Sequence, residues 1–464
     1  MKETKPPFVP LELGTENIST LLRKYALPAI IAMTASSLYN MVDSIFIGQG
    51  VGALAISGLA VTFPLMNLST AFGTLVGIGG ATMVSVFLGQ KNYVAANRVL
   101  GNTFTLNVLT GLLFMLVTLL WLEPILRFFG ASDATLPYAS EYMTIILYGN
   151  IITHLYFGLN GIMRSGGNPR GAMNLTLFTV ILNTVLDPIF IFVFDLGIRG
   201  AAWATVLSQT AAFIIIMAKF GNPGRVLRFT RQSFIPDWRV ARDCLAIGFG
   251  PFLMNSASCV VTMIINQQLY KYFGDLGIGS YGICNRITFF FVMICVGLNQ
   301  GMQPIAGYNY GARQYSRVKS VYDKTVLLAT VVVSLAAFIS VVFPRQAAGL
   351  FTHDEALLTM AAHDLRIMNC LMFIVGFHMI TTNLFQCLGM VGKSIFLSLI
   401  RQLIYLVPLM YLLPLLMGGE GIWWSIPVSD LLSFITALLM RASLLRKFNT
   451  LNDGDEATIL GSKL

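Results

Sequence analysis

Apolar runs of about 20 residues, each long enough to cross a hydrocarbon core of about 30 Å, recur along the whole chain with short polar stretches between them. Twelve such runs are present, at about 24–47, 54–87, 100–121, 139–163, 172–194, 200–218, 247–270, 278–303, 325–344, 365–388, 394–417 and 421–440. Each predicts a membrane-spanning helix. Pro28 falls in the first third of span 1, where it removes an intrahelical hydrogen bond and is expected to bend or loosen the helix. Span 2 is overlong, carries Pro64 and ends in the glycine-rich string GTLVGIGGA, which allows tilt and close helix approach.

The pattern repeats. FLGQKNYVAANRV lines up with YNYGARQYSRVKS, placing Gly89 against Gly311; FFGASDATL lines up with LFTHDEALL, and Gly200 and Trp203 with Gly421 and Trp424, at an offset near 222 residues. An even number of spans per repeat leaves both halves running in the same sense. The expected fold is therefore an all-α membrane protein of twelve transmembrane helices, in two six-helix lobes related by a pseudo-twofold axis along the membrane normal. Substrate is expected between the halves, near the midplane. The organisation expected is a leader over 1–23, a first lobe over 24–218, a linker over 219–246, a second lobe over 247–440 and a polar, mobile tail over 441–464. Asn17 or Ser19 is expected to cap the helix leading into span 1.

Composition agrees. Of 464 residues, 56% are hydrophobic and only 11% charged, with a mean hydropathy of +0.73, against about 25% charged in soluble domains. The net charge of +9 does not point to nucleic acid, because the basic residues are not gathered on one soluble face. Of the 30 Lys and Arg, 22 fall in the leader, tail and alternate loops, four in the other loops (Arg127, Arg199, Lys271, Arg345), three in spans (Arg286, Arg366, Arg401) and Lys24 at the leader edge of span 1. This is the positive-inside pattern, with both termini in the cytoplasm of a cell whose inner membrane holds the chain. The polar N-terminus carries no cleavable signal. The six cysteines read as small core residues, neither a disulfide framework nor a metal site.

Chemistry is expected where polar groups interrupt the spans. A carboxylate within a transmembrane helix costs roughly 2.5–3.5 kcal/mol on insertion scales and normally faces a polar cavity or a partner. Asp43, Asp187 and Asp430 are the carboxylates read as lying well inside spans. In LNTVLDPIF, Asn183 precedes Asp187 by four residues and shares its helical face. Pro188 cannot donate to the carbonyl of Thr184. Together these groups make an oxygen-rich pocket suited to a proton or a hard cation such as Na⁺. A solvated helix end is the alternative for Asp187. Asp430 reads as a buried structural charge, paired with Arg286, Arg366 or Arg401. Span 7, with SASCVVTMIINQQ, is polar but uncharged, which places ion coupling mainly in the first half.

Candidate cavity residues are Met33, Tyr39, Asn40, Phe63, Met66, Phe157 and Phe178, since methionine is adaptable and aromatic faces attract organic cations. An intramembrane enzyme would want clustered His, Cys or Ser; His154, His353, His363 and His378 are scattered and neither HExxH nor GxSxG occurs, so no enzyme, cofactor or structural metal is expected. The expected partners are the lipid bilayer and organic cations, with the chain working as a monomer.

The strings LGTENISTLLRKYALPAIIAM, LYNMVDSIFIG, LNTVLDPIF and NQGMQPIAGYNYGA resemble the multidrug and toxic compound extrusion (MATE) transporters, and the leader and first span are most similar to their MepA-like bacterial branch. The resemblance covers about residues 11 to 445. It implies two six-helix lobes in a V shape that open alternately to each side, and export of organic cations by antiport with H⁺ or Na⁺. It places Asp43, Asn183, Asp187 and Thr205 at first-lobe cation-coupling positions and Pro28 at the proline whose helix bends during the cycle. The chain departs from the NorM-like branch in lacking an acidic residue in span 7. A flippase for a lipid-linked or other amphipathic anion, built on a related two-lobe plan, is the alternative; its cavity should be lined by Arg and Lys, whereas the cavity candidates here are acidic.

Overall fold

A computed structural model describes residues 12–51, 53–352, 354–449 and 452–455. Helices account for nearly all of them: α1 (Ile18–Gly50), α2 (Ala53–Gly89), α3 (Tyr93–Leu120), α4 (Leu136–Ser165), α5 (Pro169–Pro188, continued by a π turn over Ile189–Val193) and α6 (Ile198–Phe220). The second half follows with α7 (Trp238–Gly274) and α8 (Leu276–Gly311), divided where Gly274 adopts φ 63° and ψ −150°. Then come α9 (Tyr315–Val342), α10 (Glu355–Asn369 and Val375–Cys387 about a 3-10 turn), α11 (Val391–Leu399 and Val407–Met417 about a π turn at Ile400–Leu406) and α12 (Glu420–Asn449). Among the described residues ten helices are long and apolar enough to cross a membrane, and the bent α10 makes eleven. With α1, 33 residues long, each of the twelve expected spans falls on a helix.

The repeat read from the sequence reappears in backbone conformation. Lys91 and Arg313 both turn with positive φ (57° and 58°), as do Gly167 and Gly389 (93° and 63°) and Gly197 and Gly418 (55° and 66°). A short helix follows both α3 (Leu122–Phe128) and α9 (Pro344–Gly349), and α5 and α11 each carry a π turn. Two compact units result. Of the described residues, one gathers Ile31–Phe252 with Glu12–Glu16, and the other gathers Asn17–Ile30 with those from Leu253 onward.

Lipid is as apolar as leucine, so helices within each unit gain from close contact rather than from escape from water. In the first unit a Cβ added to Gly77 would lie 2.8 Å from Gly158 Cα, so α2 and α4 touch backbone to backbone there. Ile47, Leu65, Tyr142, Met143, Ile191 and Ala202 belong to the core this builds. In the second unit Val261 and Ile265 of α7, Tyr281 and Ile287 of α8, Leu365 of α10 and Trp423 of α12 pack together.

Several expectations shift. Asn17 is the cap at the start of α1, accepting from the Ser19 N–H at 2.9 Å. That helix is continuous through Pro28, and its first turns lie against a glycine face of α8: a Cβ on Gly301 would meet Ala26 Cα at 2.4 Å, and one on Gly297 would meet Ile30 Cα at 2.6 Å. Helix α7 begins at Trp238, well before its apolar run, since Asp237 Oδ1 caps it by accepting from the Arg239 N–H at 3.0 Å. The polar stretch before it is tied down: Asn97 Nδ2 donates to Val226 O at 2.9 Å, and Asn102 Oδ1 accepts from the Asp237 N–H at 3.0 Å. The tail is docked where it is described. Asp453 accepts from the Ser316 N–H at 3.0 Å and the Ser316 hydroxyl at 2.5 Å, a cap that Gln314, without a capping side-chain bond, does not provide for α9.

Arg286 is not the partner of Asp430. It is exposed on α8, whereas the buried Asp430 of α12 accepts from Arg401 Nε at 2.6 Å, and Ser429 Oγ donates to Arg401 O at 3.1 Å. The π turn at Ile400–Leu406 carries that arginine. Removing one member of a buried pair leaves the other charge uncompensated, which costs about 3–5 kcal/mol. Arg401→Met is therefore expected to cut the amount of folded protein in the membrane, and the double variant R401M/D430N to recover most of it, read by immunoblot and thermal melting; a single variant as abundant as the parent would show that the pair carries no structural load.

Candidate functional site

Four helices of the first unit converge on one buried group. Helix α1 brings Tyr39 and Asp43, α5 brings Asn183 and Asp187, α4 brings Tyr142 and α6 brings Thr205. Spacings of four residues on α1 and on α5 stack each pair on a single face. Thr205 donates its proton to Ala201 O at 3.1 Å, which leaves its oxygen to accept from Asn183 Nδ2 at 3.4 Å. The Tyr39 hydroxyl lies 3.2 Å from the same oxygen, and the buried Tyr142 belongs to the same neighbourhood. Asn183 Nδ2 donates a second bond to Asp187 Oδ1 at 3.4 Å, and the carboxyls of Asp187 and Asp43 contact each other. Asp187 is 0% and Asp43 6% exposed.

What the group lacks is donors. Asp43 Oδ1, Asp187 Oδ2 and Asn183 Oδ1 are buried acceptors without a hydrogen-bond partner among the described residues. Two touching carboxylates in a low dielectric repel unless a positive charge or a proton lies between them. A set of charged and uncharged oxygens, free of nitrogen and sulfur, fits either a proton or a hard monovalent cation.

The second unit gives the contrast. Two further aspartates are buried there, Asp364 and Asp430. Asp430 is held by Arg401. Asp364 takes a bond from Ser280 Oγ at 2.5 Å and lies 3.3 Å from His363 Nδ1. Neither carries a fully buried oxygen without a partner among the described residues. Asp364 and Tyr142 were not picked out from the sequence: Asp364 stands near the polar start of its span, and Tyr142 is one of 16 tyrosines with nothing local to distinguish it.

The remaining expected residues divide. Tyr39 reaches the site. Asn40's side chain lies outside the described residues. Met33 is partly buried. Met66 packs against the first unit's core and accepts from Thr62 Oγ1 at 3.8 Å, a packing role. Phe63, Phe157 and Phe178 are exposed side chains of α2, α4 and α5; Phe157 stands beside Tyr156 with ring centroids 5.3 Å apart. Pro188 is followed directly by the π turn of α5, so the helix widens just past Asp187.

The family model MatE matches residues 28–189 and 247–412, one stretch in each half. The chain is 30% identical over 417 residues to the multidrug export protein MepA of Staphylococcus aureus (strain N315), covering 90% of this chain and 92% of that protein. It is 29% identical over 418 residues to the MepA of Staphylococcus saprophyticus, with the same coverage. Among solved structures, an outward-facing multidrug resistance MATE family transporter of the MOP superfamily superposes with a TM-score of 0.90 at 23% identity, covering 96% of this chain and all of that one. Helices, repeat and family match agree: the chain belongs to the MATE family of multi-pass membrane transporters.

Proposed function

We propose that this protein exports organic, mostly cationic, compounds from the cell by antiport against H⁺ or Na⁺, and that the coupling ion and the organic cation compete for the Asp43–Asp187 pair. The observation that carries this reading is the set of three buried acceptor oxygens, two of them on touching carboxylates, that face no donor. MepA, the similar protein in two staphylococci, is named a multidrug export protein. The excess of basic residues in alternate loops supports an inner membrane of a bacterial cell with both termini in the cytoplasm.

The cycle follows from charge. With the site open to the outside, a proton or Na⁺ neutralises the carboxylate pair, α1 bends at Pro28 and the organic cation leaves. A neutral, emptied site then crosses to face the cytoplasm, where the ion departs and a new organic cation takes its place. Asn183, itself tied to Thr205, holds Asp187 in position, and Tyr39 hydrogen-bonds with Thr205. Exposed Phe157 and Phe178 supply aromatic surface for the organic part of the cargo.

Asp43→Asn and Asp187→Asn are each expected to abolish coupled ethidium efflux from cells while the protein stays in the membrane at parent abundance; normal efflux from both would remove the mechanism. Asn183→Leu deletes a hydrogen bond to a charged group, a contribution of about 1.5–3 kcal/mol, so coupled transport at low ion gradient is expected to fall by roughly 10-fold or more. One-for-one exchange of a monovalent drug for one proton moves no net charge. Uptake of ethidium into inverted vesicles should then follow the pH gradient, about 1.4 kcal/mol per unit, and ignore a membrane potential worth about 2.3 kcal/mol per 100 mV per charge; uptake that tracked voltage at fixed pH gradient would contradict that stoichiometry.

A further inference from the structure

The polar stretch between α6 and α7 is built as an ordered strap, not as a loose connection. Thr230 and Ser233 cap each other's backbone around a 3-10 turn at Arg231–Phe234. Asn97 of α3 grips the strap with both ends of its amide: Nδ2 donates to Val226 O at 2.9 Å and Oδ1 accepts from the Arg228 N–H at 2.8 Å. Asn102 of α3 does the same with Ile235 O at 3.1 Å and the Asp237 N–H at 3.0 Å. Arg98 pairs with Asp237 at 3.4 Å, and a Cβ on Gly101 would run into the Ser233 carbonyl. Phe229 and Phe234 stack with centroids 5.3 Å apart, and Phe104 of α3 meets both edge-on at 5.7 Å.

The place of the strap decides what it meets. Helix α3 exposes Leu109, Leu113, Leu116 and Leu120 along one stripe, the face that lipid covers in a membrane helix of this kind. Steps of seven and four residues carry that stripe back from Leu109 to Asn102 and Arg98, two of the residues that hold the strap. Gly101 and Leu120 stand 19 residues apart, about 29 Å of helix, which matches a hydrocarbon core of about 30 Å. The strap therefore lies on the lipid-facing rim of the first unit, at headgroup depth on the side of the basic turns. Its outer surface exposes Phe234, Ile235 and Trp238, the last by 77%. Arg231, Arg239 and Arg242 are exposed beside them. Arg242 has a carboxylate partner, Asp243 at 3.0 Å, whereas Arg231 and Arg239 pair with no carboxylate among the described residues.

We propose that this strap is a binding surface for anionic phospholipid of the cytoplasmic leaflet, with Arg231 and Arg239 taking headgroup phosphates while Ile235 and Trp238 enter the interface. Indole rings settle at headgroup level, and each basic residue near an anionic leaflet favours it by about fivefold. An acidic protein or a nucleic acid would meet the same arginines only by covering apolar side chains that already face the bilayer. Because α3 holds the strap in shape beforehand, little freedom is lost when lipid binds. The contact fixes the depth of the first unit in the membrane, as interfacial Trp and Arg anchors do. It depends on the charge asymmetry that puts the basic turns in the cytoplasm and is independent of antiport. The described tail after α12, Asn452–Asp455, docks on the start of α9 through Asp453, but it brings two aspartates and no base and offers no such surface.

The test uses the full-length protein in phosphatidylcholine vesicles in which a minor fraction of the lipid is brominated, either phosphatidylcholine or phosphatidylglycerol. Bromine quenches nearby indoles, and subtracting the signal of Trp238→Phe from that of the parent isolates Trp238. Brominated phosphatidylglycerol is expected to quench Trp238 at least about threefold more effectively than brominated phosphatidylcholine. In R231Q/R239Q that preference should fall to near one, while quenching by brominated phosphatidylcholine persists and shows the strap still in place. Equal quenching by the two lipids in the parent, or a preference that survives in R231Q/R239Q, would overturn the proposal. So would a Trp238 that neither lipid quenches, since the strap would then face water. Millimolar glycerol 3-phosphate should leave the preference intact; its loss would mark a site for soluble anions instead.

Discussion

Two carboxylates pressed together inside a membrane protein can persist only if something positive visits them. That constraint, set by Asp43 and Asp187, organises the rest of the first unit. Helices α1 and α5 are placed so that residues four apart present an acid and a helper on one face, and α6 contributes Thr205, whose proton is committed to its own backbone so that its oxygen accepts. Oxygens left without donors among the described residues are costly inside a membrane protein unless a positive charge or a proton visits them, which is what the proposed exchange of a small ion for an organic cation supplies.

The duplicated architecture shows how one helix plan can serve two ends. Matching turns with positive φ, matching short helices and paired π turns make the two units alike in backbone. Their polar side chains differ. The first unit keeps buried acids short of donors. The second satisfies its buried acids: Asp430 by Arg401, Asp364 by Ser280 and His363. A satisfied charge stabilises a fold, so the two copies of one frame differ in where their buried acids lack partners.

The spans, the repeat and the buried acids of the first unit were legible because membrane helices announce themselves by length and apolarity, and because an acid inside one is costly. Asn183 was readable from its spacing to Asp187. Thr205 came only by resemblance, since a threonine in an apolar helix has no local mark. Tyr142 escaped for the same reason: its significance lies in which helix it meets, and tertiary neighbours are not written into local pattern. Charge alone left Arg286, Arg366 and Arg401 as equal candidates for Asp430; the choice of Arg401 depends on the π turn of α11 that carries it. Pro28 illustrates the opposite limit. Its chemistry permits a bend, yet α1 is continuous in this structure, with Ala26 and Ile30 packed close against the glycines of α8.

Competition for the carboxylate pair is most directly measured by equilibrium binding of ethidium to the purified protein, titrated by fluorescence across pH 5 to 9 with and without Na⁺. If one site serves both ions, affinity must weaken as protons, or Na⁺, become abundant, and that dependence must vanish in D43N/D187N. Affinity that is the same at every pH and every Na⁺ concentration in the parent protein would mean that the two ions do not share the pair.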